Sequence, residues 1–402
     1  MKIAFIHNEK KITTGANYIN DLISAKLQSK GLEVKHFYPT QDLFSAPTNL
    51  KGIANILFFY SLLEHREEIL KCDLIQGTTY TPLTFLPFGI PIVSHFGSTT
   101  QGFLDAVPKA DKFDPASKKI WDELFKQGVI KEKDLSTRRP LRDIAEIEKF
   151  VGIRSAAVVA TSELVSKELI TQGVPAKKVS VIHNAIEDYW FKHALQVNLK
   201  KPHIVFLGRL GNDCFNLKLK GFDRLVHLYR RFPETPKVTF GITTNEKIKA
   251  YLNKNVSHHY FLANVIKSNL PKFLNPLRGS ILFISSRYEG FSLSLIEGMS
   301  QGLIPIVYPV GVAGEIIKNG INGFLVKNQN QALDAAEKIL GDARLRRRMS
   351  QQARKSAEQF NADYMTDQFV ELYEKILKKK VARPQSVKSE RFSFRNFLRL
   401  KK

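Results

Sequence analysis

The 402-residue sequence predicts an α/β protein of two doubly wound parallel-sheet domains. Three observations carry that expectation. Short apolar runs alternate with longer amphipathic stretches, the alternation restarts after residue 200, and the length accommodates two to three domains at roughly 150 residues each. A composition of 43% hydrophobic and 25% charged residues excludes a wholly disordered, collagenous or coiled-coil chain. The two cysteines, Cys72 and Cys214, lie far apart, so they support neither a disulfide framework nor a cysteine zinc site and fit a reducing cytoplasm.

Taken in order, Lys2–Ile6 reads as a strand, too short for a secretory h-region and without a small-residue cleavage site. A loop from His7 to Thr14 leads to a helix at Gly15, whose Ile19, Leu22, Ile23 and Leu27 share one face before Gly31 stops it. Leu32–Phe37, Leu74–Gln76, Pro91–His95, Ala156–Ala160 and Lys178–Ile182 follow as strands of a first domain, 1–190, with a polar, charged and partly helical insertion at about 105–143. The most hydrophobic stretch, Ile53 to Leu63, is too short to span a bilayer and is interrupted by Asn55 and Ser61. Asp188–Lys201 lacks clear periodicity and reads as the linker. The second domain, 191–362, holds strands His203–Leu207, Lys237–Gly241, Ile281–Ser285 and Ile304–Tyr308 and a helix Phe222–Arg231. Asp363–Lys380 is a long amphipathic helix, expected to pack back toward the first domain, and 381–402 is a basic amphipathic tail broken at Pro384.

The net charge of +23 is unevenly placed. Residues 1–190 carry 24 basic and 22 acidic side chains, whereas residues 191–402 carry 37 and 16. Lys378–Lys402 alone holds ten Lys or Arg against Glu390. Such asymmetry points to a polyanionic surface or ligand: nucleic acid, anionic lipid or phosphorylated substrates.

Open parallel sheets bind ligands outside the carboxyl ends of their strands, so a site is expected between the two domains. After the strand Ile281–Ser285, Glu289 and Glu297 stand eight residues apart around a helix start. Gly290 permits close backbone approach, and the free N–H groups of Phe291, Ser292 and Leu293 suit phosphate. Alternatively, Ser294 and Glu297 fit S-x-x-E, which makes Glu297 the acidic member of a capping box. After His203–Leu207, Gly208-Arg209 and then Lys220-Gly221 supply two cations that would hold a diphosphate, Arg by a bidentate fork and Lys as a point charge. The plain alternative pairs Arg209 with a local carboxylate and leaves Lys220 solvated at a helix start.

Together these residues resemble the glycosyltransferase family 4 group of GT-B enzymes. The resemblance rests on Gly208-Arg209-Leu210 with Lys220-Gly221, on Glu289-Gly290-Phe291 with Glu297 in E-x7-E spacing, and on Pro309-Val310-Gly311 leading to Glu315 and Asn319–Val326. Weaker echoes are Thr14-Gly15, Gly31-Leu32-Glu33-Val34 and Val181–Ile186. Departures are a single glycine in the first loop, Ala185 in place of the usual glycine, and Ala263-Asn264 where a glycine normally follows the strand.

The resemblance implies a GT-B fold and retaining transfer from a nucleotide-diphospho-sugar by a front-face route. Arg209 and Lys220 would neutralise the diphosphate, with the backbone N–H groups of Ser292 and Leu293 on the same phosphates and Gly15 letting the first-domain loop approach. Glu297 would bind the ribose, Glu289 the transferred sugar, and Phe291 would line the site. His95 matches the histidine set against the donor sugar, although a lone histidine is more often structural; His7 lines the crevice. No cofactor and no metal is expected, and no Asp-x-Asp occurs in the chain.

In Arg391–Lys402 the cations Arg391, Arg395, Arg399 and Lys402 cluster opposite Phe394, Phe397, Leu398 and Leu400, as suits an interfacial helix on an anionic membrane via 378–402. A disordered solubilising extension or a nucleic-acid contact are the alternatives, and no nucleic-acid module accompanies it. The expected partners are a nucleotide-sugar donor and a glycan or lipid-linked acceptor, with the chain cytoplasmic or peripheral on the inner membrane face. A sugar-nucleotide epimerase of the same fold, or a non-catalytic glycan or nucleic-acid binding protein, stands as the alternative function.

Overall fold

The computed structural model describes residues 1–9, 15–40, 53–192, 201–211, 213–243 and 245–381. The basic tail and part of the linker therefore lie outside the described residues. Two six-stranded, all-parallel sheets form the framework. In the first lobe β1 (Lys2–Ile6), β2 (Glu33–Phe37), β3 (Leu74–Thr78), β4 (Ile92–Phe96), β5 (Ala157–Ala160) and β6 (Val179–Val181) lie in the order β2-β1-β3-β4-β5-β6. In the second lobe β7 (Ile204–Arg209), β8 (Lys237–Ile242), β9 (His259–Ala263), β10 (Ile281–Ile284), β11 (Ile304–Val307) and β12 (Phe324–Leu325) lie in the order β12-β11-β10-β7-β8-β9.

Helices cover both faces of each sheet, which is why the central strands are continuous apolar runs rather than alternating ones. Helix α1 (Gly15–Ser29) lays Ile19, Ile23 and Leu27 on Ile3, Phe5 and Val34. On the other face Ala4, Ile6 and Ile75 meet Phe58, Phe59 and Leu62 of the helix Ile53–Leu63, so the most hydrophobic stretch of the chain is a covering helix of the first lobe. Two further first-lobe helices, α2 (Thr100–Ala106) after β4 and α3 (Pro115–Lys126) within the insertion, are followed by α4 (Glu163–Thr171) after β5.

The insertion behaves differently from the expectation that it belongs with the first domain. Ile120, Trp121 and Leu124 of α3, with Val129 and Ile130, join the core of the second lobe, beside Leu225, Val226 and Tyr229 of α5 (Phe222–Arg231). Charged partners fix the docking: Arg230 bonds Glu123 at 2.7 Å, and Lys218, only 1% exposed, bonds Asp134 at 2.5 Å. An amphipathic pattern says that a face is buried, not which body buries it. The second lobe is completed by α6 (Leu293–Ser300). After it, α7 (Ala362–Val381) returns to the first lobe, packing Met365, Phe369 and Tyr373 into the core under α1. Among the described residues no helix is long and apolar enough to cross a membrane.

Candidate active site

Strand order reverses between β1 and β3 in the first lobe and between β7 and β10 in the second. At such points the loops leaving adjacent strands diverge to opposite faces and open a crevice at the carboxyl ends. Arg209 ends β7, Lys220 follows it, and Glu289 follows β10, so all three flank the second reversal.

Each is placed by local constraints. Gly221 adopts φ 61°, and a Cβ there would lie 1.9 Å from the Ser285 carbonyl oxygen, so only glycine lets the chain turn into α5 against the end of β10. That close approach sets Lys220 beside Glu289: Nζ donates to Oε1 at 2.6 Å, and the Ser286 hydroxyl donates to the same oxygen at 2.6 Å. The loop is anchored by Arg287, which makes a bidentate pair with the fully buried Asp223 at 2.8 and 2.7 Å. Lys220 is thus paired rather than solvated. Arg209 is exposed, and its guanidinium makes no hydrogen bond or ion pair among the described residues.

The helix start itself differs from a capping box. Ser294 lies inside α6, and the N-cap is Ser292, held at φ 79° with no side-chain cap bond. A non-glycine residue in the left-handed region is strained, and such strain collects at functional sites. The buried Ser292 hydroxyl has no hydrogen-bond partner among the described residues, and the first N–H groups of α6 carry the positive end of the helix. Glu297 is held elsewhere, with Lys267 Nζ 3.3 Å from its Oε1. Burial raises its pKa, Lys267 lowers it, and Glu187 adds to the rise.

From the first lobe, a Cβ on Gly15 would stand 3.1 Å from Leu293 Cδ1, so the start of α1 abuts the start of α6. The Phe291 ring is buried beneath, against His183 and Phe360. His95, in β4, packs edge-on against Phe369, and its buried Nε2 has no hydrogen-bond partner among the described residues. Burial lowers its pKa to about 4, so the ring is neutral near pH 7 and can donate or accept one bond. His7, pushed down to about 3 by burial and by His36, bonds that second ring at 2.8 Å and stacks on Tyr38.

The lobes touch through Tyr288, Gly290 and Glu315, whose partners across the cleft, Thr99, Ser162, Glu163, Glu168 and His183, have no marker of that pairing in the sequence. The Tyr288 hydroxyl donates to Glu168 at 2.6 Å and accepts from the Thr99 N–H at 3.1 Å. Ser162 donates to the Gly290 carbonyl at 2.6 Å, and Glu315 accepts from the Glu163 N–H at 2.9 Å while lying 2.8 Å from His183 Nε2. Asn264, at φ 53°, takes a left-handed turn after β9, and its side chain bonds the Thr243 backbone. Lys267 also went unmarked, since a lysine in a loop has no periodicity to betray burial.

Two Rossmann-like lobes whose carboxyl-end loops meet define the GT-B architecture. Sucrose-phosphate synthase from Thermosynechococcus elongatus aligns with a TM-score of 0.72 at 16% identity, covering 94% of this chain and 99% of that one. An Anabaena protein solved with UDP-glucose gives 0.64 at 17% identity, covering 93% and 100%. Residues 191–356 match the family model described as glycosyl transferases group 1. An uncharacterized glycosyltransferase of Methanocaldococcus jannaschii is 26% identical over 252 residues, 57% of this chain and 63% of its own length. Across four curated relatives the aligned part spans 48% to 63% of their length.

Proposed function

We propose that the protein is a retaining glycosyltransferase that moves a sugar from a nucleotide-diphospho-sugar to a hydroxyl of a lipid-linked glycan or cell-envelope polymer. The observation that carries this reading is the Lys220–Glu289 pair beside the uncapped start of α6, where the two lobes meet. Its support includes the family of residues 191–356 and the UDP-glucose bound by the similar Anabaena protein.

When a donor enters, Lys220 exchanges its carboxylate partner for the diphosphate, joined by Arg209 and the N–H groups of Ser292 and Leu293. These positive groups act where negative charge grows as the bond from the anomeric carbon to phosphate oxygen breaks. Released from Lys220, Glu289 accepts from sugar hydroxyls, and neutral His95 offers its unpartnered Nε2 to the same ring. The acceptor oxygen bonds the anomeric carbon from the face that the phosphate leaves, and its proton passes to the departing phosphate oxygen. The site thereby needs no metal, since its cations and helix dipole meet the developing charge. Glu289 does not act as a nucleophile: its carboxylate is taken up by the sugar hydroxyls and by Ser286.

Docking of 378–402 on an anionic leaflet would bring the cleft to a lipid-linked acceptor, each basic residue contributing about 1 kcal/mol near the surface. The test is a screen of labelled sugar nucleotides with membrane extract as acceptor source. Free nucleoside diphosphate with a glycosylated lipid of unchanged anomeric configuration is expected. An epimerised sugar nucleotide, or no turnover with any donor, would overturn the proposal.

A further inference from the structure

Away from the diphosphate end of the cleft the structure buries one more cation. Lys267 opens the turn Lys267–Asn269 after β9, and its side chain is only 12% exposed. Its ammonium meets three separate parts of the molecule. Both oxygens of Glu187, in the interlobe connection, lie at 2.8 and 2.9 Å. Glu297 Oε1, on α6, lies at 3.3 Å, and the Tyr18 ring of α1 in the other lobe lies 4.6 Å from the charge. A compact ammonium with three N–H donors is used up by two carboxylates and one ring face. Glu187 is held from its far side by the Trp190 indole N–H at 3.1 Å.

This arrangement fixes how Glu297 is presented. Oε1 is engaged, whereas Oε2 takes no hydrogen bond among the described residues. The groups facing the carboxylate are Lys267, Glu187 and Tyr189; Arg354, from the helix behind, donates to the Ser300 carbonyl at the other end of α6. Of these only Lys267 favours the ionised form. Burial and Glu187 act the other way, and Tyr189 is kept neutral by burial and by the two glutamates. Lys267 itself stays charged: burial disfavours its cation, but Glu297 and Glu187 outweigh burial and leave its pKa raised. A ribose diol offers two O–H donors, and a carboxylate meets both only with its two oxygens as acceptors, which requires it to be ionised.

Resting on the reading that Glu297 receives the donor's ribose, we infer that Lys267 is a positioning residue that presents the Glu297 carboxylate to the diol charged and oriented, without touching the nucleotide itself. The bridge to Tyr18 sets the lysine from the opposite lobe, so the carboxylate takes this form where the two lobes are together.

The test is calorimetric titration of UDP, ADP and GDP, and of their 2′,3′-dideoxy forms, into the full chain from about pH 6 to about pH 8. Wild-type protein and the variants Lys267→Met and Lys267→Arg are compared. The terminal phosphate titrates at about pH 6 in both forms, so wild-type affinity for the ribose form is expected to run parallel to that for the dideoxy form across this range. Relative to the dideoxy form, Lys267→Met should bind it about tenfold more weakly, with the loss greater toward the acid end, because Glu297 without its cation takes up a proton more readily. Lys267→Arg should restore the wild-type profile. The dideoxy form, which lacks the diol, should bind both proteins alike. If methionine leaves the protein unfolded, Lys267→Gln, neutral but hydrogen-bonding, replaces it. Equal affinity of Lys267→Met and wild type at every pH would overturn the inference, as would a pH-independent loss shared by ribose and dideoxy forms. Failure of the wild type to bind any nucleoside diphosphate would instead overturn the glycosyltransferase reading, and this inference with it.

Discussion

Replacing Gly290 with alanine should part the two lobes at the cleft. An added Cβ would stand 1.8 Å from the Gly97 carbonyl oxygen and 2.7 Å from Ser98 Cα, both backbone atoms of the first lobe. Real Cβ atoms essentially never approach closer than 3.0 Å, so the two backbones must separate by more than an ångström. Neither segment has a flexible side-chain tip that could yield instead. Gly290 adjoins Glu289, and the loop is pinned across the lobes by Ser162 and Tyr288. A shift of about 1 Å in a positioning group costs on the order of 100-fold in rate, or about 3 kcal/mol of transition-state stabilisation. Phe291 and Tyr288 on either side belong to buried clusters, so the melting temperature should fall as well, and the loss of turnover has to exceed what that fall explains. Release of nucleoside diphosphate from the preferred donor, measured beside a thermal melt, separates the two effects. Turnover at the wild-type rate in Gly290→Ala would refute the argument that the E-G-F loop must lie against the first lobe.

Other perturbations should act more locally. Arg209→Ala removes an exposed cation with no partner among the described residues, so turnover should fall about 100-fold or more while the melting temperature holds; unchanged turnover would remove Arg209 from the site. Arg287→Ala strands the buried Asp223 carboxylate, and chemical denaturation should report a loss of about 3 to 5 kcal/mol. A loss under about 1 kcal/mol would mean that the pair is not desolvated. His95 titrates at about 4 when folded, against about 6.5 when unfolded. Below the upper value the unfolded chain binds the extra proton, so stability present at neutral pH is lost as pH falls between these limits, by up to about 3 kcal/mol. His95→Phe should therefore make the stability profile less steep between about pH 6.5 and about pH 4, with His7 and His259 keeping the remaining slope, and an unaltered slope would contradict a buried neutral ring.

What the sequence makes legible follows what is local. Fully buried parallel strands are apolar runs bounded by turns, so β1, β4, β7, β10 and β11 are visible within a residue or two. The edge strand β9 exposes alternate residues, and β12 is two residues long, so neither makes a full apolar run. Glu289 and Lys220 are legible because a glycine forced by backbone approach marks each, at Gly290 and Gly221. Partnership across the fold is not legible in the same way. The Ser294–Glu297 spacing suits a cap, yet the positive φ of Ser292 starts the helix differently and Glu297 turns to Lys267. Tyr288 meets Glu168 from 120 residues away, and α3 leaves its own lobe for α5, because packing between distant segments carries no signature in either one.

We propose that the second lobe grips a diphosphate through Arg209, Lys220 and the start of α6. Calorimetry on wild type and an Arg209→Ala/Lys220→Ala double variant, with uridine, UMP and UDP and the matching adenosine and guanosine series, addresses it most directly. For the base the protein accepts, the diphosphate should bind tightest, and the double variant should lose that advantage over the nucleoside. Diphosphate binding no tighter than nucleoside, or unweakened in the double variant, would contradict it.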